Sequence, residues 1–149
     1  MKKIASITCS LMLVALLLVN ASGVSAQGGD SLYKRLGGYD AIAKVTDEFL
    51  SGLANDKQMS RFLTGLSESS QKRLRQHVVD FLCMATGGPC LYTGRDMKTA
   101  HTGLKITEAD WDASVKLLAG ILDKLKVPKK EKGETLAAVA GLKSDIVGR

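Results

Sequence analysis

Residues 74–101 read LRQHVVDFLCMATGGPCLYTGRDMKTAH and hold both histidines of the protein, His77 and His101. Leu74, His77, Val78, Phe81, Leu82 and Ala85 recur at three- and four-residue spacing, which places them on one face of a helix, with Arg73, Arg75, Gln76 and Asp80 pointing away. Gly87-Gly88-Pro89 ends that helix, because glycine admits the left-handed cap and proline cannot continue the ladder. After a loop at 90–95, Asp96 can open a brief helix on which Met97, His101 and Leu104 align at offsets of four and three, with Gly103 at its end. Each imidazole therefore sits on the apolar side of a helix. Two imidazoles facing one apolar space can grip a planar metal cofactor between them.

The flanking sequence has the same helical grain. Upstream, Asp30 or Ser31 can cap a short helix through Lys34 that stops at Gly37-Gly38. From Asp40, the residues Ile42, Val45, Phe49, Leu50 and Leu53 mark an amphipathic helix ending near Asn55. Phe62, Leu63 and Leu66 form an apolar patch without a clear period, and Ser69 or Ser70 is the expected N-cap of the helix bearing His77. Downstream, Thr107 with Glu108 and Asp110 reads as a helix start, its acids favourable to the dipole. Trp111, Val115, Leu118, Leu122 and Leu125 carry that helix inward until Pro128. A last helix is expected from Lys129 or Lys130, with Leu136, Val139, Ala140, Leu142 and Ile146 on its buried side. No stretch of strict alternation occurs, so the fold class is all-α.

The chain is 149 residues long, enough for one domain. Lys2 and Lys3, the apolar run 11–19 and Val24-Ser25-Ala26 form a basic start, a hydrophobic segment and a small-x-small cleavage site. Residues 1–26 are thus expected to be a signal peptide and 27–31 a flexible leader. The product is expected to be periplasmic or secreted, touching a membrane only through the signal peptide if it stays uncleaved. Loss of Lys2 and Lys3 lowers the formal net charge from +6 to about +4. The basic groups Lys72, Arg73, Arg75 and 124–132 lack interleaved aromatics, so nucleic acid is not an expected partner. The first of these groups could instead pair with cofactor carboxylates.

Cys9 belongs to the signal segment, which leaves Cys83 and Cys90. An oxidising compartment allows them to pair; a buried Cys83 beside a separate surface Cys90 is the alternative. The chain has no CxxCH motif, so the usual covalent attachment of c-type haem is excluded.

The two histidines admit a bland reading, as buried residues with hydrogen-bond partners. Zinc held by His77, Cys83, Cys90 and His101 fits poorly, because intervals of six, seven and eleven positions match no familiar finger or ribbon. Nucleophilic catalysis by either cysteine lacks a base and an orienting carboxylate beside it. Haem needs a flat apolar crevice, a strong axial ligand and groups at its mouth for the propionates. Leu74, Val78, Phe81, Met97 and Leu104 can form walls, and Lys72, Arg73, Arg75, Tyr92 and Arg95 the mouth.

Three ordered blocks sharpen this. Residues 32–38 (LYKRLGG), 81–89 (FLCMATGGP) and 92–101 (YTGRDMKTAH) resemble the group I truncated haemoglobins, and the similarity runs from Leu32 to the last helix. The resemblance implies a two-over-two helical sandwich over 32–149 around haem b, iron protoporphyrin IX. It also implies that His101 is the proximal iron ligand and that Phe49, Leu63, Tyr92, Met97, Leu104 and Trp111 contact the haem, with Trp111 where phenylalanine is more usual. On the distal side Leu50 stands where a tyrosine is common, and Leu74 and Val78 stand where glutamine or threonine donors are common. A donor to bound oxygen contributes about 1 to 3 kcal/mol, so its absence speeds release. His77 matches the position at which cyanobacterial members carry a histidine that binds iron directly; the alternative is a propionate contact. Those relatives can also tether haem through a histidine in the last helix, which this chain lacks.

The function the resemblance implies is binding of oxygen or nitric oxide at an iron held by His77 and His101. Nitric oxide dioxygenase activity, with an unidentified electron donor, is its enzymatic form. The alternative is an electron-transfer or redox-sensing haem protein with no gas-carrying role.

Overall fold

A computed structural model describes residues 29–149, and the expected signal peptide lies outside them. In order, the described elements are α1 (Leu32–Leu36), α2 (Gly38–Asn55), a 3-10 turn (Ser60–Phe62), α3 (Glu68–Ala85), α4 (Met97–His101), α5 (Glu108–Lys124), α6 (Lys129–Ala140) and α7 (Lys143–Ile146). No strand occurs among the described residues.

α2 packs against α3 on one side and α5 on the other, and α5 lies against α6. Two helix pairs, α2 with α3 and α5 with α6, are thereby stacked through the α2–α5 contact, the expected two-over-two sandwich. Gly52 permits that contact: a Cβ there would lie 2.9 Å from both methyls of Leu117. α1 bridges α2 and α6, and Arg35 fastens it to the latter, its Nε donating to Glu131 at 3.0 Å and its Nη2 to Glu134. α4 packs on α7, which makes the short last helix a support for the segment bearing His101.

Local chemistry sets most of the boundaries. Ser31 caps α1, accepting from the Lys34 amide, and Gly37 closes it at φ +102°. Gly37 is also the N-cap of α2, which therefore starts at Gly38 rather than Asp40. α3 starts earlier than expected as well. Ser67, not Ser69 or Ser70, is the cap, its hydroxyl accepting from the Ser70 amide at 3.3 Å, and Glu68 then falls in the first turn, where its charge suits the dipole. α5 stops at Lys124 instead of running to Pro128, because Lys126 turns the backbone left-handed at φ +57°. The last helix is two pieces, broken at Gly141 and Leu142. Its buried residues are Glu131 and Thr135, and Ala140 is exposed. The apolar pattern could not show this, since α6 is held to α1 by charge.

α3 carries two inward faces rather than one. Val79 and Cys83 are completely buried and join Ile42 of α2 in the core, with Tyr33, Ala43, Leu82 and Cys90 packed around them. The face expected to be buried, Leu74, His77, Val78 and Phe81, is only half-buried, and Ala85 is exposed. The deepest contacts of α3 thus go to α1 and α2, and its histidine face is turned elsewhere. The second half of the core belongs to α5, through Trp111, Leu118, Ile121 and Leu122.

Candidate functional site

α4 is a single turn built to present His101. Asp96 caps it, its carboxylate accepting from the Thr99 amide at 2.9 Å and from the Thr99 hydroxyl at 2.7 Å. Those bonds hold the Asp96 carboxyl below the usual range. One turn on, His101 Nδ1 lies 2.7 Å from the Met97 carbonyl oxygen. A carbonyl can only accept, so Nδ1 must carry a proton, which in the neutral ring leaves the Nε2 lone pair free. A backbone carbonyl behind the distal nitrogen is what orients a metal-ligating imidazole and raises its basicity. Leu104 follows directly, its amide donating to the His101 carbonyl at 3.1 Å, and is partly exposed, as a wall residue of a crevice would be.

His77 sits on the half-buried face of α3. Its Nδ1 is buried and has no hydrogen-bond partner in the protein. The Tyr92 ring meets it edge-on, with centroids 6.0 Å apart, and meets Phe81 in the same manner at 5.3 Å. Tyr92 is aimed by its own loop: the hydroxyl donates to the Arg95 carbonyl at 2.5 Å, and the ring lies so close over Gly94 that a Cβ there would fall 2.3 Å from the phenol oxygen. Burial, together with the Asp96 charge, pushes the Tyr92 phenol up, so it stays protonated. The hydroxyl expected at a propionate is thus already engaged.

A third group joins α2, the turn after it and the start of α3. Leu50, Leu63 and Leu74, with Ala54 and Leu66, line a cleft of about 490 Å³. Asp47 and Arg75 stand at its edge, joined by Arg75 Nε and Nη2 donating to the carboxylate at 2.5 and 2.9 Å, and the Arg75 guanidinium holds the Asp47 carboxyl low. Lys72 pairs with Glu68 at 2.6 Å. Of the basic residues expected at the mouth, Arg73 and Arg95 form no ion pair among the described residues.

The structure therefore gathers most of the expected residues in three clusters: His77, Phe81 and Tyr92; Leu50, Leu63 and Leu74; Met97 and His101. Val78 and Phe49 are half-buried on α3 and α2, and Trp111 is buried in the first turn of α5. Cys83 and Cys90 form a disulfide with a Cα–Cα distance of 5.7 Å, which settles the open choice between pairing and separation. Thiolate ligation of zinc is thereby unavailable to them. The donor set that remains, one imidazole with a backed Nδ1 and another with a buried orphan nitrogen beside apolar and aromatic walls, fits haem.

Asp110 is a structural residue whose reach the sequence did not show. It is 1% exposed and accepts four bonds: from Gln58 Nε2 and Arg61 Nη2 at 2.7 Å, and from the Thr107 amide and hydroxyl at 2.9 and 2.7 Å. The Thr107-to-Asp110 spacing announces the capping box, but nothing local announces Gln58 and Arg61. These partners fasten the turn that carries Leu63 to the start of α5.

The sequence profile of the family described as bacterial-like globin matches residues 31–147. Among curated relatives, the group 1 truncated haemoglobin GlbN of Mycolicibacterium paratuberculosis is 36% identical over 116 residues, covering 78% of this chain and 83% of the relative. The group 1 truncated haemoglobin GlbN of Nostoc commune is 30% identical over 119 residues, covering 80% and 98%. In three dimensions the Tetrahymena pyriformis truncated haemoglobin in its Fe(III) form aligns with a TM-score of 0.74 at 26% identity, over 80% of this chain and all of that one. A Synechococcus 2/2 haemoglobin, in the cyanomet state and with covalently attached haem, aligns with a TM-score of 0.73 at 27% identity over the same shares.

Proposed function

Because the chain belongs to the bacterial-like globin family, as a group 1 truncated haemoglobin, we propose that it is an exported b-type haem protein whose iron is held by His101 and, when no external ligand is present, by His77. The observation that carries this reading is the Nδ1–H···O=C bond from His101 to Met97 on a capped, one-turn helix. It fixes the tautomer and the ring before any metal is bound. The buried, unpartnered Nδ1 of His77 and the leucines at 50, 63 and 74 support an opposite side that excludes water.

Haem, when bound, supplies an iron that can exchange an electron and take oxygen or nitric oxide. The protein's own residues set the terms. His101 binds; Leu50, Leu74 and Val78 shape the ligand side without offering a hydrogen bond; His77 competes for it. Weak retention of oxygen follows, since a missing donor forfeits about 1 to 3 kcal/mol. Nitric oxide dioxygenase activity with an external electron donor is the enzymatic form of this reading. Electron transfer or redox sensing is the second reading, favoured by a histidine placed to keep the coordination shell unchanged. Export is supported by the pattern at 1–26 and by the disulfide, which persists in oxidising compartments.

Absorption spectra in both oxidation states test the proposal. Low-spin, six-coordinate spectra are expected; a five-coordinate high-spin ferrous form at neutral pH sinks coordination by His77. His77→Ala should turn the spectrum high-spin while haem is kept, and His101→Ala should lose haem. Rapid mixing of the oxygen-loaded protein with nitric oxide separates the two functions: fast stoichiometric nitrate marks the enzyme, and ligand binding limited by His77 release marks the redox protein.

A further inference from the structure

Residues 89–95, between α3 and α4, cover His77 yet are barely tied down. None of their backbone groups enters a backbone–backbone hydrogen bond among the described residues, and the Tyr92 hydroxyl bond to Arg95 is internal to the segment. What fixes the segment is the sulfur of Cys90, bound to Cys83, and the Tyr92 ring against His77 and Phe81. Tyr92 is two residues from Cys90, so the crosslink decides where the ring can sit. The end of α3 does not depend on the crosslink. The Thr86, Gly87 and Gly88 amides donate to the carbonyls of Leu82, Met84 and Cys83 at 2.8 to 3.0 Å, and the Tyr33 amide binds the Thr86 carbonyl at 2.8 Å.

We propose that the Cys83–Cys90 disulfide is a thiol-sensitive latch holding Tyr92 against His77, and that its reduction by a dithiol frees residues 89–95 and changes how readily His77 gives way to a diatomic ligand. The ligand-binding half rests on the reading of His77 as the residue facing the iron. Cys83 is fully buried, and Gly88 seals its sulfur so closely that a Cβ there would lie 2.7 Å from Sγ. Cys90 is only half-buried, so its sulfur is the one attacked. A thiolate of the dithiol bonds to Cys90 Sγ as the S–S bond breaks, and Cys83 leaves as a thiolate that takes up a proton in its apolar surroundings. The second thiol then displaces Cys90 and closes the dithiol into its own disulfide. Two electrons and two protons pass to the cysteine pair.

The test uses the haem-loaded protein with the disulfide intact, the same protein after dithiol treatment, and Cys83→Ala/Cys90→Ala. Opening the latch should speed amide exchange in residues 89–95 by about tenfold while α3 stays protected, a readout that does not involve haem. It should also shift the carbon monoxide association rate of the ferrous protein by at least about threefold, with a change in the low-spin fraction. Tyr92→Ala should reproduce the rate shift and make the protein indifferent to dithiol. Unchanged exchange, or association rates that agree whether the disulfide is open or closed, overturns the latch. A five-coordinate ferrous spectrum in the disulfide form instead overturns coordination by His77, and amide exchange in residues 89–95 still decides the latch.

Discussion

Asp110 would suit the first turn of any helix, yet it does more than cap. Four donors converge on its buried carboxylate, the largest effect coming from the Gln58 amide, and they hold it well below the ordinary carboxylate range. A folded-state pKa below the unfolded one means that the unfolded chain takes up the proton first as pH falls. The stabilisation is complete above the unfolded value near 4 and is lost as pH drops through the folded value. Thermal melts from about pH 6 down to pH 2 should show this as a falling acid limb, flattened in Asp110→Asn. At pH 7, Asp110→Ala should cost about 3 kcal/mol by urea unfolding, because Arg61 and Gln58 lose their common acceptor. The capping-box spacing was legible in the sequence. The two tertiary donors were not, since Gln58 and Arg61 lie about fifty residues upstream in a stretch with no clear period.

At the scale of elements, α4 shows how little helix is needed to hold His101 in one orientation. Five residues cannot sustain a helix by backbone bonds alone, so Asp96 at its start and α7 behind it must hold it. Asp96→Ala should remove about 1 kcal/mol of cap stabilisation. If that loss falls on the bound geometry of His101, haem transfer to an acceptor apoglobin should quicken by about fivefold, with little change in overall helicity. An unchanged transfer rate would mean that α7 alone holds the turn. The short helix and its cap were readable from Asp96, Met97 and His101. Its support was hidden because the sequence shows one final helix, and the break at Gly141 that lets α7 turn back onto α4 is a tertiary choice.

Taken as a whole, the molecule divides its apolar residues between a sealed core and a face left half-exposed. α3 shows the division: Val79 and Cys83 are sealed against α2, while Leu74, His77, Val78 and Phe81 stay half-exposed. On the proposed function that second face is the one haem covers, so removing haem should lower the melting temperature by more than about 10 °C, restored on adding it back. A melting temperature independent of haem would contradict the division. The sequence by itself determined the helical class, the two helices that carry His77 and His101, the Gly-Gly-Pro break and the family, because helical periodicity, capping and turn chemistry are local. Tertiary structure alone decided which face of α3 lies deepest, that Cys83 meets Cys90, that Tyr92 leans on His77, and that Asp110 gathers Gln58 and Arg61. Those are contacts between residues brought together by packing, and no period along the chain encodes them.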